Sequence, residues 1–384
     1  MEHLVYIVVL IVVVGIVLAA TGWWRLALVP FRIRPARMDV ARLGLTVAPD
    51  DVERVEGVLR SFAGGFNAML TGPRWSMWQR YCDSLPVFLR PFAHEGAAMG
   101  FTPRRFFRCR PEDFEESVVR TQPGMRYLYY VGLGFWSAMR DHHPRHLAHV
   151  VARLDLLHGH LCYDGYGFKH GFFDYLENPE VVRKFDNFDE SARNVVYQGV
   201  GRSFWFLFGG DRELLIERIV GLGEYARHVA GGVGLAAVFV HPDRLEAALE
   251  LGGGLPPEWH DDYHLGACFG LKARSINDAE QFERDVSRLD PGVCEAVQAS
   301  VHACDRIEQQ VRDERGKDGY PRWRDRVSEW MAGHIEFPLA GMQSSSPSEK
   351  GVKDLLPERP AGCLAQETPD TLFSGGNRRE ETEA

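Results

Sequence analysis

Four side chains stand where acid–base chemistry could be built. His94 and Glu95 open one glycine-bearing apolar segment, and His170 and Asp174 flank another at a spacing of four. Side chains four apart share a helix face, so such a pair can pass a proton or join a ligand set; a plain salt link is the simpler alternative. Lys169 and Arg202 follow glycine pairs in apolar surroundings, where a cation needs a carboxylate partner or an anionic ligand. His260 and His264 are also four apart, but Asp261 departs from the H-E-x-x-H arrangement of zinc proteases. The cluster of Asp141, His142, His143, His146 and His149 is metal-like in composition. Pro144 interrupts it, and a solvated turn accounts for it better. No nucleophile elbow, phosphate loop or paired-cysteine motif occurs, and neither a metal nor a cofactor is expected.

The chain that must position these groups has 384 residues, 45% hydrophobic and 25% charged, which is ordinary globular usage. Its 53 acidic and 44 basic side chains leave a net charge of −9 without a basic stripe, which argues against a nucleic-acid partner. Seven scattered cysteines, with no C-x-x-C pair, form neither a disulfide framework nor a zinc site and suit a reducing compartment.

Residues 4–24 carry no charge and are dense in Val, Ile and Leu. Twenty-one residues at about 1.5 Å each span roughly the 30 Å hydrocarbon layer. Trp23 and Trp24 stand where an interfacial anchor belongs, and Arg25, Arg32, Arg34 and Arg37 follow. The positive charge therefore lies after the apolar run, and no basic stretch precedes it as in a cleaved signal peptide. The expectation is a single-pass anchor of the cell membrane over residues 1–24, with a cytoplasmic body. A basic juxtamembrane linker and entry helix over 25–60 follow the anchor. Residues 343–384 are Ser-, Pro- and charge-rich, too poor in apolar content to fold, and read as a disordered tail.

Between them, over residues 61–342, small-residue pairs recur. Gly132 and Gly134, Gly165 and Gly167, Gly199 and Gly201, Gly232 and Gly234, and Gly266 and Cys268 are spaced by 33, 34, 33 and 34 residues. Gly64–Gly65, Gly96 and Ser300 extend the period at either end. Turn signals follow each pair, at His143-Pro144, Asn178-Pro179, Asp211, His241-Pro242 and Asn277-Asp278, and then a shorter amphipathic stretch. The pattern predicts an all-α array of 33–34-residue helical hairpins, a tetratricopeptide-like α-solenoid. Glycine inside a helix costs about 1 kcal/mol relative to alanine, and close approach of a neighbouring helix is the physical return. Tyr130, Tyr197 and His264 each stand two residues before a repeat glycine; they either line a common groove or pack between hairpins. With Lys169 and Arg202 they make up the expected binding residues.

The stretches Phe92 to Gly100, Tyr130 to Trp136, Asp164 to Phe173, Tyr197 to Trp205 and Gly231 to Ala236 resemble a bacterial family named domain of unknown function 1702. Its members are often encoded beside enediyne polyketide synthases. The resemblance implies a setting, natural-product biosynthesis, and supplies no reaction and no catalytic residue. Two functions are expected from it together with the repeat. The first is a membrane-tethered accessory protein whose concave surface binds a partner protein or an apolar intermediate. The second is an enzyme acting on a hydrophobic polyene or polyketide through His94, Glu95, His170 and Asp174. Convergence of those four groups on a closed apolar pocket favours the enzyme, and an open groove favours the binding protein.

Overall fold

The computed structural model describes residues 6–8, 10, 12, 13, 28–72, 74–104, 110–140, 143–314, 316 and 318–335. The expected anchor over 4–24 lies mostly outside them, and the expected tail over 343–384 wholly so. Among the described residues no helix is long and apolar enough to cross a membrane.

Among the described residues eight helices form the frame: α1 (Val52–Thr71), α2 (Arg90–Arg104), α3 (Arg126–Met139), α4 (Leu161–Lys169), α5 (Glu190–Phe208), α6 (Ala226–Val240), α7 (His260–Asn277) and α8 (Pro291–Asp313). A last helix, α9 (Gly319–His334), follows, and no strand occurs among the described residues. Each frame helix packs on the next. Between them run shorter outer helices, such as Pro144–Val151, Arg212–Val220 and Ala279–Val286. These begin at the turn signals: the side chains of Asp211 and Asp278 accept from the backbone N–H groups of Leu214 and Gln281. One outer piece, Pro179–Asn187, is a 3-10 helix. The entry helix runs on to Thr71, so a boundary at residue 60 falls inside it and α1 already carries Gly64 and Gly65.

The glycine pairs work as the period suggests. A methyl carbon on Gly132 would overlap the carbonyl of Glu95 in the preceding frame helix, and one on Gly134 the carbonyl of Cys162 in the following one. Gly165 and Gly167 meet the carbonyls of Val131 and Val196 in the same order, Gly199 and Gly201 those of Asp164 and Val229, and Gly232 and Gly234 those of Gln198 and Tyr263. The first glycine of each pair admits the previous backbone and the second admits the next. At the last step Cys268 replaces the second glycine, and its thiol lies 3.7 Å from the Ser300 carbonyl.

The array of packed helix pairs also closes on itself. In a linear stack each unit touches only its neighbours. Here Arg54 of α1 donates to Asp243 at 2.7 Å and to the Val240 carbonyl at 3.2 Å, just beyond and at the end of α6. Asp51 pairs with Arg244. Phe92 of α2 meets Phe239 of α6 edge to face at 5.4 Å, and the Arg274 guanidinium of α7 lies 5.2 Å from the Phe88 ring centre. The frame curls until its beginning meets its sixth and seventh units, so the concave face becomes an interior.

Candidate functional site

The interior is set by two register positions. One residue before the first glycine of each pair stand Glu95, Val131, Asp164, Gln198, Gly231 and Leu265; three residues after it stand Met99, Phe135, Phe168, Arg202, Leu235 and Phe269. These positions are one helical turn apart, so they share a face, and most line two pockets inside the curl.

The first space is an aromatic chamber of about 60 Å³, walled by Phe62, Phe135, Phe168, Phe172, Phe206 and Met99, with Glu95 as its acidic residue. Ile33 and Met38 of the segment before α1 close it. That strap is held by Asn67, which accepts from the Ile33 N–H at 2.9 Å and donates to the Ile33 carbonyl at 2.7 Å. It is also held through Thr46, whose N–H donates to the Leu207 carbonyl at 2.8 Å. The second space, about 50 Å³, is lined by Tyr127, His158, Asp164, Gln198, Arg202 and Phe239 among others, and Tyr320 and Trp323 of α9 close it.

A buried polar layer stands between the two chambers. Arg202 pairs with Asp164, and its other terminal nitrogen lies 3.7 Å from a Glu95 oxygen. Gln198 donates to the second Asp164 oxygen at 3.0 Å. Burial opposes the charge on Arg202, and the two carboxylates outweigh it. Burial pushes the Glu95 carboxyl up to about 7; Arg202 pulls it down and Asp164 pushes it up further. A second polar cluster borders the other chamber. His158 lies between Asp155 (3.4 Å) and Glu308 (3.3 Å), with the Tyr127 ring 4.8 Å away. Arg312 bonds to both carboxylates, at 2.9 Å to Asp155 and 3.0 Å to Glu308. Burial works against these two acids, and His158 and Arg312 hold both well below the usual carboxylate range.

The four expected acid–base residues do not converge. Only Glu95 faces the interior. His94, its neighbour, points to the outer helices: its Nδ1 is 2.8 Å from the Tyr129 hydroxyl, the Trp78 ring lies 5.8 Å away, and burial pushes it down to about 4. His170 and Asp174 are joined at 2.5 Å, but across a π-helical turn, His170–Asp174, rather than a regular α-helix. His170 lies against Tyr166 and Phe185, and Lys169 reaches Asp174 at 2.8 Å, so Lys169 and Asp174 complete each other. Arg202 likewise has its carboxylates. Tyr130 donates to Glu115 at 2.7 Å, Tyr197 stacks on Tyr225 at 4.0 Å, and His264 is buried against Tyr263. These three pack between frame and outer helices and do not line either chamber.

Residue type alone does not mark Asp164, Gln198 and His158 in the sequence. The signal for the first two was present: with Glu95 they occupy the same repeat position, directly before the first glycine. Among the described residues no group of three His, Cys, Asp or Glu side chains could hold a metal ion. No curated protein and no solved structure matches the chain. The profile of a family described as protein of unknown function (DUF1702) matches residues 23–331, most of the chain. The chain therefore belongs to the DUF1702 family.

Proposed function

We propose that this chain is a membrane-tethered accessory protein of natural-product biosynthesis, of the enediyne type, and that it binds an apolar, unsaturated intermediate in the aromatic chamber. The chamber carries this reading, because an interior walled by phenylalanines and closed by a separate strap is a site for an apolar molecule. A partner protein in a concave groove is less favoured, since that face is already filled by Phe92 against Phe239. The present chamber admits only a few water-sized groups, so a ligand displaces Ile33 and Met38 as it enters. Exposed side chains at Tyr6, Ile7, Val8, Leu10, Val12 and Val13 support the tether, and the arginines after the apolar run favour a cytoplasmic body.

The test is a fluorescence titration of the full chain in detergent with methyl cis-parinarate, an uncharged conjugated tetraene. Saturable enhancement that is lost in Phe168→Trp, which fills the chamber, supports the reading. Absence of binding, or equal binding by that variant while it stays folded, overturns it. The second reading, an enzyme acting on a hydrophobic polyene or polyketide by acid–base chemistry, is favoured by one observation, the acid facing this chamber.

A further inference from the structure

We propose that Glu95 is a proton donor to carbon, and that the aromatic chamber is a catalytic site for shifting double bonds along a conjugated hydrocarbon chain. This rests on the reading of the chamber as a ligand site. Glu95, Asp164 and Arg202 form a buried layer with two carboxyl groups and one cation. An unbalanced buried charge is costly, so one carboxyl keeps its proton. Asp164 accepts from both Arg202 and Gln198 and is the one satisfied as an anion. Glu95 stands 3.7 Å from Arg202, beyond a hydrogen bond, and is the one left as the acid.

Glu95 borders a chamber whose other lining is apolar, and among its phenylalanines Phe168 is in ring contact with Phe135, Phe172 and Phe206. Aromatic faces attract a cation, by about 2 kcal/mol or more where water is excluded. They would favour a delocalised carbocation over the neutral chain that gives rise to it.

The step balances without a co-reactant. The Glu95 O–H bond breaks, and its proton goes to a terminal carbon of the conjugated chain, where a π pair becomes the new C–H bond. The chain becomes a delocalised cation, and Glu95 becomes a carboxylate that turns toward Arg202. The carboxylate then takes a proton from a different carbon of the cation. That C–H pair becomes a π bond, Glu95 is an acid again, and the product is an isomer of the substrate. Nothing is oxidised or reduced.

The experiment uses the full chain, methyl cis-parinarate and heavy water, with deuterium on the chain carbons and the geometry of the double bonds read by mass spectrometry and chromatography. The wild type is expected to incorporate deuterium and to isomerise the tetraene, with a rate that falls as the pH rises through about 7. Glu95→Gln is expected to bind the probe and to lose at least tenfold in deuterium incorporation. Binding without deuterium by the wild type, labelling unchanged in Glu95→Gln, or a rate flat between pH 5 and 9 overturns the proposal and leaves the binding function standing. Failure of the probe to bind overturns both.

Discussion

Replacing Glu95 by glutamine should stabilise the protein at alkaline pH and leave it nearly unchanged at acid pH. In the folded chain this carboxyl is pushed from 4.5 up to about 7, first by burial and then by Asp164, against the pull of Arg202. An acid that holds its proton more tightly when folded contributes fully below its unfolded value. That contribution is lost as pH rises through the folded value. The affected window therefore runs from about pH 4.5 to 7. At about 1.4 kcal/mol per pH unit, it amounts to about 3 kcal/mol. Glutamine has the shape of the neutral acid and never ionises, so it avoids the loss. At pH 5 the two proteins should melt within a degree or two of each other. At pH 8 the variant should melt roughly 5 °C higher, at about 2.1 cal/mol/K of unfolding entropy per residue for a chain of this size. Differential scanning fluorimetry across that range is the assay. An offset that does not change with pH, or a variant less stable at pH 8, would show that Glu95 is a charged partner of Arg202 and that the charge count is wrong.

Four further outcomes follow from other parts of the structure. Gly199→Ala puts a methyl carbon against the Asp164 carbonyl, a backbone atom that cannot turn aside, and should cost 3 kcal/mol or more or prevent folding. Gly292→Ala meets nothing within 4 Å and should gain up to about 1 kcal/mol, both read by chemical denaturation. Asp155 and Glu308 are held at about 2, so their contribution is present above their unfolded values and is lost as pH falls toward 2. Arg312→Met should flatten that acid limb of a melting-temperature profile. Asn67→Ala leaves the Ile33 N–H and carbonyl without their partners, costs about 1–3 kcal/mol, and should open the strap between residues 28 and 47 to limited proteolysis.

The local architecture was legible because it is written in short-range terms. Glycine pairs at a fixed period, turn residues such as Asp211 and Asp278, and amphipathic stretches after them each act within one hairpin. Closure was not legible, because it depends on small rotations summed over six units. The residues that seal it, Asp51, Arg54, Asp243 and Arg244, look like ordinary surface charges in the sequence. The site was partly legible. Residue type marks Glu95 and its neighbour His94 alike, but adjacent residues on a helix point about 100° apart, here to different surroundings. His170 and Asp174 were paired on α-helical spacing and are joined across a wider turn, away from the interior. Asp164 and Gln198 are found by lining up the repeats rather than by looking for reactive residue types.

The seal between the first and sixth units limits how such a protein can evolve. An open stack lengthens or shortens by duplicating or deleting a hairpin, since only the flanking surfaces must match. Here, adding one 34-residue unit between α2 and α5 would carry Asp51 and Arg54 past Arg244 and Asp243, and would part Glu95 from Arg202. The unit count is therefore locked by geometry, and variation within the family should appear in loops and outer helices while the number of frame helices stays constant.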